Sequence, residues 1–304
     1  MRSAFVDNAR AAPAELTSEQ IEKGQAMLKD LDLETGYDEA AIKSYDIFKQ
    51  LRDEGVVEKH VKFQVSMPTI ANVIGILIEE KFRPLVEPVY EEALFKSLQR
   101  IQDAIPHQDL AIQIDLGMDM AYWENKVFQP WFADRAHVVD YIAKMISQIR
   151  PAVDLGLHYC YGDMNHQHFT EPTSLGPIVD LHQHIMKRSQ RSIEWIHCPV
   201  PLSAMDQLDS FYAPLSILDP QLVQNKTKLY LGLVHPHDVE GTQARISAAG
   251  RVVQEFGVAT ECGWGRIPDR EDIDSIMDIC RRVSRDHRDR RTEEYADYGY
   301  KLAR

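Results

Sequence analysis

No stretch of this chain reaches the about 18 uninterrupted apolar residues that crossing a hydrocarbon core demands, so a membrane-spanning helix is not expected. The N-terminal MRSAFVDNARAAPAELTSEQ lacks the hydrophobic run of a secretory signal, and a cytoplasmic location is the resulting expectation. Cysteine is scarce: four among 304 residues, at positions 160, 198, 262 and 280. So few cannot brace a disulfide scaffold, and in a reducing compartment scattered cysteines suggest metal binding or catalysis. Positive charge is also in deficit. Against 47 Asp and Glu stand 34 Lys and Arg, for a net charge of −13. No basic stripe is present to neutralise phosphates, which argues against a nucleic-acid partner. The one basic cluster (Arg281, Arg282, Arg285, Arg288, Arg290 and Arg291) is interleaved with Asp286, Asp289, Glu293 and Glu294, and reads as a solvated helix face. Repeats and low-complexity tracts are missing too.

What is present is the composition of an ordinary soluble globular protein, 44% hydrophobic and 27% charged. The length accommodates one α/β barrel of about 250 residues with extensions. Residues 1–57 are polar and read as helical from about Ser18, with Tyr45, Phe48 and Leu51 at helical spacing before Gly55. They form the expected helical N-terminal extension, and residues 58–304 the expected barrel catalytic domain with C-terminal helices. From residue 61 short apolar runs of strand type alternate with longer helical stretches. The runs are Val61–Ser66, Leu110–Asp115, Val153–Cys160, Ile193–Cys198, Lys228–His235 and Val258–Cys262. The clearest intervening helices are Glu87–Ala104, Ala133–Arg150, Leu175–Ser189 and Glu240–Phe256. This alternation implies a parallel sheet with right-handed crossovers. Polar residues end nearly every strand, as in a closed barrel whose strand ends converge on one mouth. The expected fold class is therefore α/β, a TIM-barrel-like (β/α)8. Only six strands are legible, so either helices replace the N-terminal part of the barrel or the chain is a shortened form of a longer one.

Chemistry concentrates at those strand ends. His158-Tyr159-Cys160 places two soft ligands two residues apart, and in a strand such residues point to the same side. Cys262 ends another strand, and the glycines that follow it let backbone approach a ligand closely. Two thiolates and an imidazole select zinc, and catalytic zinc sites keep three protein ligands with one position left for substrate. The alternative is that Cys160 and Cys262 are small buried hydrophobes; Cys280 reads as packing. His197 is a candidate zinc ligand, partner of a ligand, or substrate contact. It is preferred over Cys198, because adjacent strand residues face opposite ways. His235 suits general acid or base chemistry, or is a hydrogen-bonded histidine at a strand end. Asp115 is costly to bury unpaired, so it either meets a cationic substrate group or pairs internally, for example with Arg266. His166 and His168 follow the metal strand toward the mouth, whereas His182 and His184 fall on a helix.

The segments HYCYGD, LGLVHPHDVEG and ATECGWGR, in that order, make residues 60–285 resemble the C-terminal catalytic domain of cobalamin-independent methionine synthase. More broadly, the chain is similar to the superfamily that also contains uroporphyrinogen decarboxylase and the zinc-dependent thiol methyltransferases. The most specific elements are His158-x-Cys160-Tyr161-Gly162 and Cys262-Gly263. The resemblance implies Zn2+ held by His158, Cys160 and Cys262, with His197 on or beside the position of the family's glutamate ligand. That gives either a His/Cys/His/Cys site or a three-ligand site with His197 outside it. A neutral ligand in place of an anionic one makes the ion more electrophilic and a bound thiolate less nucleophilic. The resemblance also implies His235 as general acid. Asp115 takes the place of the aspartate that holds a substrate amino group, but Asp115-Leu116-Gly117 replaces the family's Asp-Glu-Pro. The family's separate N-terminal domain, which helps bind folate, has no room here, and folate is the weaker candidate as donor. The expected function is zinc-dependent transfer of a methyl or alkyl group from a small-molecule donor to a small-molecule thiol. The alternatives are a metal-independent decarboxylase or lyase using Asp115, His197 and Arg266, and a catalytically degenerate barrel that binds a small molecule. A homo-oligomer is compatible with each.

Overall fold

The computed structural model describes residues 16–29, 31–126, 128–162, 167–189, 191–264, 267 and 269–289. Among these, each apolar run read from the sequence overlaps a strand: β1 (Phe63–Pro68), β2 (Leu110–Leu116), β3 (Asp154–Tyr159), β4 (Trp195–Pro199), β5 (Lys228–Gly232) and β6 (Gly257–Ala259). They form one six-stranded sheet in the order β1-β2-β3-β4-β5-β6. The β1–β2, β4–β5 and β5–β6 pairings are parallel. Progress across the sheet never reverses, so it lacks the switch point that marks a doubly wound fold. No strand precedes β1 among the described residues, and none of their helices is long and apolar enough to cross a membrane. The chain divides into two compact units, Met1–Gly156 with His184–Arg191, and Leu157–Gln183 with Ser192–Arg304, a division that falls inside β3.

The first unit contains the predicted N-terminal helices, α1 (Ser18–Lys29) and α2 (Tyr37–Asp53). α2 is fastened to the residue that precedes β2. Arg52 grips Asp109 through two hydrogen bonds of 2.8 and 2.6 Å, and the Tyr45 hydroxyl donates to the same carboxylate at 2.6 Å. A planar guanidinium meeting a carboxylate in this way adds geometric specificity to its charge. α3 (Ile70–Leu77) follows β1 and is capped by Thr69, which accepts from the Asn72 amide. α4 (Arg83–Ala104) carries a proline in its first turn, where no amide hydrogen is needed, and buries Tyr90, Ala93, Leu94, Ser97, Leu98 and Ile101 at helical spacing. β2 reads LAIQIDL and is buried along most of its length, as expected of a parallel strand covered on both faces. α5 (Met118–Glu124) and α6 (Ala136–Ser147) complete the unit, together with the end of α7 (Gly176–Arg188). Asp119 is fully enclosed, accepting from Thr69 at 2.9 Å and from Tyr141 at 2.6 Å. Burial pushes its carboxyl up to about 6 despite those two donors.

The second unit holds the end of β3, then β4, β5 and β6, with α8 (Leu208–Tyr212), α9 (Leu215–Asn225), α10 (Val239–Ala249) and α11 (Arg270–Asp289). Register places His197 beside Tyr230, Cys198 beside Leu231, and Gly232 beside Ala259. Several predicted elements are shorter than the pattern suggested, among them the fifth strand and the helix after it. The Lys228–His235 run leaves the strand after Gly232, although Val234 still donates to the Ala259 carbonyl at 3.0 Å. α10 stops at Ala249 with Gly250 as its cap, where the apolar periodicity ran on to Phe256. At its other end, Asp238 caps α10 by accepting from the Gly241 amide at 2.9 Å.

Candidate metal centre

Three of the residues singled out by spacing converge in the second unit. His158 is the penultimate residue of β3, Cys160 lies one residue beyond that strand, and Cys262 lies three beyond β6. One ligand atom from each lies within 4.8 Å of the others. The two sulfurs are 3.6 Å apart. Two bonds of about 2.3 Å to one tetrahedral centre would put them about 3.8 Å apart, so the group could hold a metal ion. His158 and Cys160 are buried, and Cys262 is half-buried. Gly162, with φ of +85°, turns the chain directly after β3 and donates its amide hydrogen to the Cys160 sulfur at 3.3 Å. Such a bond favours the thiolate over the thiol.

His197 is not among the three whose ligand atoms meet, and its ring faces a different task. Its Nε2 lies 2.9 Å from the Thr260 carbonyl and its Nδ1 lies 2.6 Å from His158 Nδ1. A carbonyl only accepts, so the neutral His197 ring carries its hydrogen on Nε2 and presents a lone pair at Nδ1. His158 then carries its hydrogen on Nδ1, and its basic lone pair is on Nε2. This tautomer chain is the arrangement in which a second partner orients a metal-binding histidine through its other ring nitrogen. Burial and the adjacent His158 push His197 down to about 3, with partial relief from the Thr260 bond, so it is neutral at any working pH. Cys198, on the opposite face, is fully buried, and burial raises its thiol pKa.

His235 lies three residues beyond β5 and is buried. Its Nε2 donates to the Val200 carbonyl at 2.9 Å, and its Nδ1 is 4.0 Å from Glu261. Burial lowers its pKa, with Glu261 and the Val200 bond opposing, so the resting ring is neutral with an acceptor at Nδ1. The loop from Leu233 to Asp238 is bracketed by the fully buried Arg245, which donates to the Leu233 carbonyl at 2.7 Å and to Asp238 at 2.7 Å. Asp115 belongs to the first unit, at the end of β2, where it accepts from Gln113 at 2.9 Å. Its suggested partner Arg266 lies outside the described residues, as does His166. His182 falls on α7 as expected and meets the Tyr159 hydroxyl at 2.8 Å inside the core.

Two more residues lie near the centre: His168, which the sequence placed toward the mouth without a partner, and Glu261. Glu261, beside Cys262, lies 3.4 Å from His168 Nε2, and His168 Nδ1 lies 2.9 Å from Glu171. Burial alone would lower the His168 pKa, but the two carboxylates outweigh it and raise it to about 9. A histidine eight residues past Cys160 and a glutamate preceding Cys262 were visible, but nothing in their spacing joined them. A scan against models of known protein families finds no match to this chain, and a search of curated proteins finds none either.

Proposed function

We propose that the second unit is a zinc centre in a closed α/β barrel and that it transfers a methyl or alkyl group to the sulfur of a small-molecule thiol. The observation that carries the reading is the 3.6 Å separation of the Cys160 and Cys262 sulfurs, with His158 in reach of both. Two thiolates and a neutral imidazole form the soft, nitrogen-and-sulfur donor set that suits zinc rather than magnesium or calcium. Three protein ligands are also the number used where one position is kept for substrate. The unreversed strand order supports the barrel, since strand ends then face one mouth.

His158, Cys160 and Cys262 would hold the ion, whose contribution when bound is to keep the acceptor sulfur as thiolate near neutral pH. His197 fixes the tautomer of His158 and keeps its Nε2 basic. His235 offers an acceptor at Nδ1 for the proton that leaves the thiol, and can return it to the departing group of the donor. The sum is balanced: the sulfur gains the alkyl carbon and loses its proton, while the donor loses the carbon and gains the proton. The net charge of −13 favours a small-molecule donor over a polyanionic partner.

Elemental analysis with zinc-edge X-ray absorption tests the reading. About one zinc per chain is expected, with a two-sulfur shell that gains a third sulfur when a substrate thiol is added. Cys262→Ser should remove zinc and thiol alkylation together. Purified protein that retains no stoichiometric zinc, or catalysis that survives complete chelation, would overturn it.

A further inference from the structure

We infer that His168 is a positioning residue: through Glu261 it ties the segment bearing Cys160 to the segment bearing Cys262, and so sets the spacing of the two sulfurs. Its consequence for zinc affinity rests on the function proposed above; its consequence for the thiol spacing does not.

The two sulfurs need such a tie. Cys160 and Cys262 follow β3 and β6, which are not neighbours in the sheet, and both residues lie beyond the ends of their strands. Ladder hydrogen bonds therefore do not hold one against the other. His197 joins the segments upstream, from Thr260 to His158, and the chain after Cys160 supplies a second connection beside the sulfurs themselves. Gly162 turns it at φ +85°, and a Cβ there would come within 2.8 Å of the Phe169 ring, so only glycine allows this close approach. The Phe169 amide then donates back to the Tyr161 carbonyl at 2.8 Å, so Cys160 and His168 are the neighbours of the two residues that this bond joins. From there His168 Nε2 reaches Glu261, the residue preceding Cys262, at 3.4 Å. With only 14% and 19% of the two side chains exposed, water competes weakly for this ionic contact.

The His168 ring is itself held from the other side. Its Nδ1 meets Glu171 at 2.9 Å, and the second oxygen of Glu171 accepts from the Ser203 hydroxyl. Glu261 is also confined. A Cβ at Gly232 would lie 2.7 Å from the Glu261 Cα and 2.7 Å from the Thr260 carbonyl oxygen, so the chain before Cys262 is pressed against β5. The imidazole thus lies between two carboxylates, Glu171 held by Ser203 and Glu261 carried on the segment pressed against β5.

The test compares the full chain with His168→Ala and His168→Gln, the glutamine retaining a hydrogen-bond donor toward Glu261. In metal-free protein, a glutathione redox buffer exchanges the two thiols for a Cys160–Cys262 disulfide, oxidised glutathione being reduced to two thiols. The equilibrium constant of that exchange reports how often the sulfurs meet. We expect it to fall about tenfold in His168→Ala, with partial recovery in His168→Gln, at unchanged urea midpoints. Zinc affinity, read by competition with a chromophoric chelator, should weaken about 10- to 100-fold in His168→Ala. Unchanged constants in His168→Ala overturn the inference, as does an equal loss in both variants accompanied by a matching loss of stability. A wild-type chain that binds no zinc, yet loses disulfide formation in His168→Ala, defeats the zinc reading and leaves this one standing.

Discussion

Replacing Asp238 by alanine removes two interactions whose sizes follow from the structure. Asp238 is the anionic partner of Arg245, whose side chain is 0% exposed while that of Asp238 is 32% exposed. Breaking a buried pair by removing one member costs about 3–5 kcal/mol, because the surviving charge is left uncompensated. Here Arg245 keeps the Leu233 carbonyl and Asp238 is partly hydrated, so a cost just below that range, about 2–3 kcal/mol, applies. Loss of the α10 cap to Gly241 adds about 1 kcal/mol. Asp238→Ala should therefore lower the unfolding free energy by about 3–4 kcal/mol, read from urea titration followed by circular dichroism. Asp238→Asn keeps an oxygen for Gly241 and for the guanidinium, and should cost about half as much. Burial raises the Asp238 pKa, but Arg245 and the Gly241 amide more than offset it, and the folded value lies below the ordinary one. The contribution is then fully present above about pH 4 and is lost as pH falls through the folded value, so the gap between wild type and Asp238→Ala should close in acid. A penalty under about 1 kcal/mol at neutral pH would refute the reasoning, since the guanidinium would then have found another partner.

His197→Ala should weaken zinc binding about 10- to 100-fold while leaving two sulfurs in the X-ray absorption shell; loss of a nitrogen from that shell would instead make His197 a ligand. Gly232→Ala forces a methyl into backbone at 2.7 Å, which is expected to cost about 1–3 kcal/mol and to shift the Thr260–Cys262 segment enough to lower zinc affinity; wild-type affinity would refute that coupling. Asp119 has a folded pKa of about 6, above its unfolded value, so its destabilising effect appears as pH rises between the two. Asp119→Asn should accordingly gain stability relative to wild type from pH 4 to pH 8, by up to about 3 kcal/mol, and a flat difference in urea midpoints over that range would contradict the assignment.

The strands were legible because β-type runs such as LAIQID and KLYLGL are apolar on both faces, a pattern that a parallel sheet requires and that periodicity reports directly. Their ends were less so. Leu233–His235 continues the apolar run after β5 while its backbone leaves the strand, and the geometry of that turn is set by Arg245, twelve residues away from Leu233. Tertiary contacts of this kind leave no periodic trace. The metal group was legible for a related reason. His158 and Cys160 are placed by strand periodicity alone, and Cys262 by its position after the last strand, so knowledge of β3 and β6 suffices to bring them to the same end of the sheet. The link between His168 and Glu261 was not legible, because it depends on one amide bond from Phe169 to Tyr161 and one positive φ at Gly162.

The place of His197 shows how a residue type can be legible while its role is not. An imidazole within β4, close in space to a histidine and cysteine at the end of β3, satisfies every rule for a zinc ligand that spacing can express. What removes it from the group is the Thr260 carbonyl, which lies on the stretch leading to Cys262 and claims Nε2. That single acceptor fixes a hydrogen on Nε2, turns Nδ1 into an acceptor, and passes the constraint to His158 across 2.6 Å. The ligand atoms that meet are then two sulfurs and one neutral ring. A carboxylate in place of His197 could not have served the same way: it would add a negative charge and leave Thr260 without a hydrogen to accept. The imidazole is therefore suited to its position by its ability to donate at one nitrogen and accept at the other, a property that no other uncharged ring among the amino acids offers.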